Sequence, residues 1–513
     1  MRTSLLLAAL LLAACGGDGA VPAGDAFAAD DTIVMDEGAP QAIAVLANDS
    51  GLESVAVIDA PRRGSAIVDA NDHVVYEPDS GFNGTDTLTY RAEDSAGFEH
   101  TATVTVTVYQ SVGATGPIVL LPRTSIQPEE VAVLVNDDDP QSVAVAAYYV
   151  EQRRIPDANV IHLRFTPGGT VMSADDFAPL YAQAEAAAGS AIQAYVITWT
   201  LPYRVEGMSI SSAFALGYDE KYFDTNPCNS TEPVDYYRSD SSRPFTDHGI
   251  RPAMVLAGTN EDDVRALIDR GVAADHTFPT GTGYFVRTTD SARSVRWPAM
   301  MSALDVWDHL PDGLALDYTD NSAGDSTNAI ENAPDVLFYL TGLASVPNID
   351  TNTYLPGAVA DHLTSYGGRL TGTGQMSVVR WLEAGATASF GTVIEPCNYT
   401  AKFPDPLPLL SHYYRGETVL EAYWKSVSWP GEGIFVGEPL ARPWGRMFLS
   451  YSGDTLAIRT TWLVPGRSYQ LLAADSIAGP FEVALAGIQV AHHQLAEIEL
   501  SDATRAVYKL EAE

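Results

Sequence analysis

Positive charge is scarce in this sequence. Lysine and arginine number 29 against 66 aspartates and glutamates, a formal net charge of −37 at pH 7. A surface that acidic repels phosphate backbones, which excludes nucleic acid as an expected partner. Long apolar runs are missing too: no segment reaches about 18 apolar residues, so no membrane-spanning helix is expected. Glycine (41) and proline (31) are too few and too scattered for a collagen-like or low-complexity chain. Phosphate-loop, dinucleotide-loop and HExxH motifs do not occur, and Ser211 and Ser212 lie in no G-x-S-x-G elbow. Core material is plentiful. The hydrophobic share of 46% over 513 residues excludes global disorder. At roughly 150 residues per domain, that length gives about three domains.

The first residues read as an address. Arg2 supplies a positive start, and Leu5 to Leu12 is an apolar run too short to span a bilayer. It ends in Leu12-Ala13-Ala14-Cys15, followed by Gly16-Gly17-Asp18. This order resembles a bacterial lipobox. The resemblance implies cleavage before Cys15, with lipid on its thiol and on the new amino terminus. Residues 1–14 are then a signal peptide, and 15–29, rich in Gly, Ala and Asp, a tether. Gly16 after the cysteine resembles lipoproteins sent to the outer membrane. The expected partner is therefore the membrane, through a lipid anchor on the cell envelope.

Cysteine arithmetic follows. Of three cysteines, lipidation of Cys15 leaves Cys228 and Cys397, in Asn226-Pro227-Cys228-Asn229 and Glu395-Pro396-Cys397-Asn398. An even remainder outside the cytoplasm favours a Cys228–Cys397 disulfide. The alternatives are a free nucleophilic thiol at Cys397 or two buried inert thiols.

Residues 30–109 alternate strand-like runs with turns. Thr101 to Val108 has a strict period of two with β-branched residues, and Asp49-Ser50-Gly51 and Asn83-Gly84 are turn signals. A β-sandwich is expected. Asp36-Glu37-Gly38, Val45-Leu46-Ala47-Asn48-Asp49, Tyr76-Glu77-Pro78 and Gly81 to Tyr90 resemble bacterial Ig-like or cadherin-like repeats, as does Asp94-Ser95-Ala96-Gly97. Some such repeats bind calcium, which makes Asp36, Glu37, Asp49 and Asp94 its candidate ligands; the other reading is solvated turn carboxylates. A single copy reads as a spacer. Residues 110–128 read as a linker.

From residue 129 to 444 the pattern becomes α/β, with a mostly parallel sheet. Val131 to Val135 is a continuous apolar run suited to a strand buried on both faces. Asp139 and Pro140 suit the N-cap and first turn of the next helix. Further strands are predicted over Ala194 to Trp199, Ala253 to Ala257, Tyr284 to Arg287, Asp335 to Thr341 and Ala386 to Ile394. Helices are predicted over Glu261 to Ala274, Ala299 to His309, Gly357 to Ser365, Gln375 to Glu383 and Thr418 to Ser426.

Ligands of such sheets sit beyond the carboxyl ends of strands. There Asn136, Asp137 and Asp139 are ligand or metal candidates, and Arg204 suits a carboxylate or phosphate. Cys397 follows a late strand, with Glu395 beside it. His362 and His412 are candidate bases, both expected in helices. His492-His493 reads as a solvated strand or turn.

Val135-Asn136-Asp137, Arg153-Arg154-Ile155-Pro156, Thr198-Trp199-Thr200-Leu201-Pro202, Leu363 to Gly368, Gly391 to Tyr399 and Ala422 to Val427 resemble a bacterial family of secreted proteins of unknown function. That resemblance implies no reaction. The late strand before Cys397, and Gly437-Glu438-Pro439, are similar to the caspase and gingipain-like fold of cysteine peptidases. That fold implies a catalytic His after the strand preceding the cysteine strand. Leu337 to Gly342, read as that strand, carries none. Residues 445–513 alternate again and suggest a small C-terminal β-sandwich.

Three functions follow. The first is an envelope lipoprotein whose α/β domain binds a ligand, surface protein or glycan, presented by an Ig-like spacer. The second is a cysteine hydrolase using Cys397 with His362 or His412, and Glu395 as orienter. The third is a metal-assisted hydrolase using Asp137 or Asp139 with Glu395.

Overall fold

The computed structural model describes residues 26–36, 40–79, 82, 84–109, 116–224, 228–307, 314–372 and 374–513. Expectations for the leader, for Cys15 and for Glu37 lie outside the described residues, as does the Asp36 side chain. The chain forms two compact units, Met1–Ser111 and Val112–Glu513.

The described residues of the first unit form seven strands: β1 (Asp31–Asp36), β2 (Gln41–Ile43), β3 (Leu52–Asp59), β4 (Gly64–Val68), β5 (Val74–Pro78), β6 (Gly84–Asp94) and β7 (Glu99–Tyr109). They form two sheets, β1-β7-β6-β3 and β2-β5-β4. The period of two in β7 explains the layering. Ala102, Val104, Val106 and Val108 are buried, while the threonines between them are exposed or half-buried. Met35, Ile43, Val74, Tyr76, Leu88 and Tyr90 complete the core. Asp86 fastens the two sheets. It is 3% exposed and accepts from the Arg62 and Arg63 amides (3.1 and 2.8 Å) and the Tyr76 hydroxyl (2.9 Å). Asp86→Ala leaves those donors without an acceptor, so the unit should lose about 1–3 kcal/mol. Hydrogen exchange of the β5 and β6 amides checks this, and unchanged protection would refute the role given to Asp86.

The second unit opens with β8 (Ile118–Leu120), β9 (Val131–Asn136), α1 (Pro140–Arg153), β10 (Val160–Leu163), β11 (Val171–Met172), α2 (Ala174–Ala188) and β12 (Ala194–Ile197). A small hairpin, β13 (Arg204–Val205) and β14 (Met208–Ser209), leads to α3 (Ile210–Leu216), α4 (Pro244–His248), β15 (Ala253–Val255) and α5 (Glu261–Ala274). Then come β16 (Gly281–Arg287), α6 (Trp297–Val306), β17 (Leu314–Asp320), β18 (Val336–Thr341), β19 (Tyr354–His362), α7 (Val379–Ala384) and β20 (Ala388–Thr392). Two helices, α8 (Pro406–Tyr414) and α9 (Val419–Trp424), precede β21 (Gly433–Gly437). The last strands are β22 (Phe448–Ser452), β23 (Thr455–Thr460), β24 (Tyr469–Ala474), β25 (Glu482–Ile488), β26 (Ala496–Leu500) and β27 (Val507–Ala512).

Ten of these strands make one sheet, ordered β10-β9-β12-β15-β21-β20-β19-β18-β16-β17. Pairing is parallel from β10 to β21 and again from β20 to β17, but β20 and β21 are antiparallel. The two halves therefore run in opposite directions, and their carboxyl ends leave opposite edges of the sheet. Every residue of β9, β12, β18, β20 and β21 is buried, as continuous apolar runs require. Asp139 caps α1 by accepting from the Gln141 amide (3.0 Å), with Pro140 in the first turn.

Three expectations are corrected. Gly357 to Ser365 is no helix: Tyr354–His362 is the strand β19. Its Ala-Val-Ala core run is buried throughout, and a short buried strand and a buried helix share that pattern. Residues 110–128 are not only a linker. Ile118–Leu120 pairs in parallel with β27, completing the sheet β25-β24-β27-β8, and Ile126 enters the α/β core. His493 is not solvated. It is 7% exposed and stacks on Trp307 with ring centroids 4.9 Å apart.

Candidate functional site

β20 leads through Val393 and Ile394 to Glu395-Pro396-Cys397. The strand preceding it in sequence, and beside it in the sheet, is β19, which ends in Asp361-His362. The expectation that no histidine ends the strand before the cysteine strand is thus corrected: β18 lies one strand further out.

The side chains decide what this placement can do. Cys397 forms a disulfide with Cys228, with Cα atoms 5.2 Å apart. His362 is 1% exposed. Its Nδ1 accepts from the Trp381 indole (2.9 Å) and its Nε2 donates to the Met376 carbonyl (3.2 Å). That network assigns the neutral Nε2–H tautomer. Burial pushes the imidazole down to about 3, against the opposing pull of the Met376 carbonyl. His412, in α8, contacts Glu417 and Arg415 through Nδ1 (both 2.7 Å), and Lys425 also pairs with Glu417. Burial lowers its imidazole to about 4. Neither histidine's described hydrogen bonds involve sulfur.

A histidine whose folded value is depressed contributes stability above its unfolded value near 6.5, and loses it as pH falls toward the folded value. His362 should therefore stay unprotonated in the folded protein down to pH 5, read from its ring carbon resonances. Titration near pH 6.5 would contradict its burial.

The candidates at the ends of the first half-sheet disperse. Asn136 is fully buried and bonds the backbone of Phe165 in both directions (3.0 and 3.2 Å). Asp137 pairs with His162 (2.7 Å) and Arg164 (3.0 Å). Asp139 is the helix cap. Since β9 and β20 end at opposite edges, Asp137 and Asp139 do not share a site with Glu395. This corrects the pairing on which the metal-assisted reading stood. Among the described residues no group of three or more His, Cys, Asp or Glu is placed to hold a metal ion. In the first unit Asp49 accepts from the Ala29 amide and the Tyr90 hydroxyl (2.7 Å each), whereas Asp94 holds the amides of its own turn, Ala96 and Phe98 (2.8 and 2.9 Å). The two carboxylates serve different turns.

Arg204 and Glu395 are brought together. Ser209 at the end of the β13–β14 hairpin donates to the Gly433 carbonyl (2.5 Å), and Gly433 pairs with Thr392. That anchors the hairpin at the edge where β20 ends. A cleft of about 390 Å³ opens there, lined by Arg204, Glu206, Asp224, Tyr366, Arg369 and Glu395 among others. Tyr366 and Arg369 were not singled out from sequence. The signal for them is Gly367-Gly368. A Cβ at Gly368 would lie 2.6 Å from the Gly391 carbonyl, so only glycine lets this loop lie on β20. The Gly368 amide donates to Thr392 (2.9 Å), which carries Arg369 to the cleft.

Two sheets of short antiparallel strands, closed by a first strand running parallel to the last, make the N-terminal unit an Ig-like domain. Residues 23–107 match the family model described as a bacterial Ig domain. No curated protein matches the sequence. Among solved structures, one titled "Structure of Protease" is similar at 9% identity, with a TM-score of 0.36, over 76% of this chain and 98% of that one. A Photobacterium 2,6-sialyltransferase is similar at 8% identity and a TM-score of 0.15, over 66% of this chain and 90% of that one. Scores this low do not assign a shared fold. No helix among the described residues is long and apolar enough to cross a membrane.

Proposed function

We propose that this chain is a cell-envelope lipoprotein whose Ig-like domain is a spacer and whose α/β domain binds a ligand or surface partner. The observation that carries the reading is the bond between Cys397 and Cys228. A sulfur held in a disulfide is not a thiolate, and the thiolate is the nucleophile that cysteine hydrolysis needs. What remains at that edge of the sheet is a polar cleft with fixed side chains, which suits binding. The lipobox-like start supports anchoring at Cys15, and the resemblance to secreted bacterial proteins agrees with an envelope location, on the outer membrane in a Gram-negative cell.

Two measurements test this. Alkylation of the denatured chain with and without prior reduction, read by intact mass, should label Cys228 and Cys397 only after reduction. Metabolic labelling with a fatty-acid probe should mark the protein and be lost in Cys15→Ser. A Cys397 that reacts natively without reduction, with peptide hydrolysis that disappears in Cys397→Ala, would replace this reading by the cysteine-hydrolase one. One observation favours that alternative: His362 closes the strand beside the one that leads to Cys397.

A further inference from the structure

Two arginines line one cleft without an acidic partner among the described residues. The chain carries 66 acidic residues against 29 basic ones, so carboxylates are available everywhere. Arg251 and Arg296 each take one, and Arg153 and Arg415 each take two. Arg204 and Arg369 make no ion pair among the described residues, yet both line the cleft at the end of β20. Arg204 donates from Nη1 to the Glu206 carbonyl (2.9 Å), and its buried Nε has no hydrogen-bond partner among the described residues. Arg369 donates from Nε to the Val393 carbonyl (3.2 Å), and its guanidinium carbon lies over the Tyr366 ring, 4.0 Å from the ring centre. Each guanidinium is thereby held by one end, with terminal nitrogens left to donate. A guanidinium fork so fixed matches a carboxylate in a two-bond arrangement.

The same cleft also carries negative charge. Asp224 and Glu395 line it, and Glu395 is fixed by accepting the Cys397 amide through Oε1 (2.9 Å). With Glu206, three acidic residues stand against two guanidiniums. A phosphate dianion would meet excess like charge, and a simple cation would meet the arginines. A ligand with one charge of each sign satisfies both groups.

We propose that this cleft binds a short peptide with free termini. Its carboxylate is held by Arg204 and Arg369, and its ammonium by Glu395 and Asp224. The volume of about 390 Å³ is at the small end of small-molecule sites, roughly 300–1,000 Å³, and suits a di- or tripeptide. The proposal rests on the α/β domain being a ligand-binding domain, and names its ligand class.

Calorimetric titration of the purified chain with trialanine tests it. Saturable binding is expected. C-terminal amidation and N-terminal acetylation of the peptide should each weaken binding about tenfold or more, as loss of a charged hydrogen-bonding group does. Arg204→Gln and Arg369→Gln should weaken trialanine by a similar factor and leave the weak binding of the amidated peptide unchanged. Glu395→Gln, which keeps the acceptor for Cys397, should penalise trialanine and spare the acetylated peptide. Equal binding of the amidated peptide, stronger binding of inorganic phosphate, or no binding of trialanine at millimolar concentration would overturn the proposal. A parallel panel of neutral oligosaccharides and sugar acids separates the two claims. If one of these binds and trialanine does not, the peptide assignment falls and the ligand-binding reading stands. If nothing binds, the peptide assignment falls, and of the ligand-binding reading only a macromolecular surface partner is left.

Discussion

Reducing the Cys228–Cys397 bond should lower the unfolding free energy of the second unit by about 4–5 kcal/mol. The two cysteines are 169 positions apart, and closing so long a loop restricts the unfolded chain far more than the folded one. All eight tryptophans lie between positions 199 and 462, inside the second unit, so indole fluorescence reports on that unit alone. Urea titrations with and without a dithiol reductant measure the difference. Cys228→Ser with Cys397→Ser should reproduce the reduced midpoint in the absence of reductant. A shift in unfolding free energy below about 1 kcal/mol would mean that the bond closes a loop already ordered in the unfolded chain.

Arg296→Met should cost about 3–5 kcal/mol, because it leaves a buried carboxylate alone. Arg296 and Asp361 are 2% and 1% exposed and pair directly, at the carboxyl end of β19. Arg296 also donates to the Thr341 carbonyl (2.9 Å), so one side chain ties α6 to both β18 and β19. Burial already raises the Asp361 carboxyl, with Arg296 opposing it. Without Arg296 the carboxyl rises further. A carboxyl raised in the folded state is harmless below its unfolded value near 3.9 and increasingly destabilising as pH climbs toward the folded value. The deficit of the variant against wild type should therefore be smaller at pH 5 than at pH 8. A deficit independent of pH would assign the loss to packing alone.

The parts of the fold that could be read from sequence were those with a distinctive period. Thr101 to Val108 announces a half-buried strand, and Asp139-Pro140 announces a helix start, because alternation and capping are local properties. Residues 354–362 could not be read in the same way. Their burial comes from neighbours on both sides, and the run is too short for length to separate strand from helix. Ile118–Leu120 sits among glycine and proline and makes sense only beside a partner far along the chain.

The candidate site divides similarly. Arg204 and Glu395 follow strands and were singled out for that reason. The reversal of strand direction between β20 and β21 is a long-range fact, and it separates Asp137 and Asp139 from Glu395. Arg369 was invisible because nothing local marks a guanidinium as unpaired. That property depends on where every carboxylate has gone.

The pairing of β8 with β27 bears on how the chain is made. Ile118 aligns with Val507, residues 389 positions apart (507 − 118). Synthesis runs from the amino end, so β8 emerges long before the strand that completes its ladder. Until then its amides and carbonyls have no backbone partner in that sheet, and β24 lacks a neighbour on the same side. Closing a contact this distant is slow, and an open strand edge is a template for mispairing. Translation products that stop short of residue 507 would carry that open edge at both β8 and β24, which marks them for aggregation or proteolysis, whereas in the complete chain β27 is made and pairs with both.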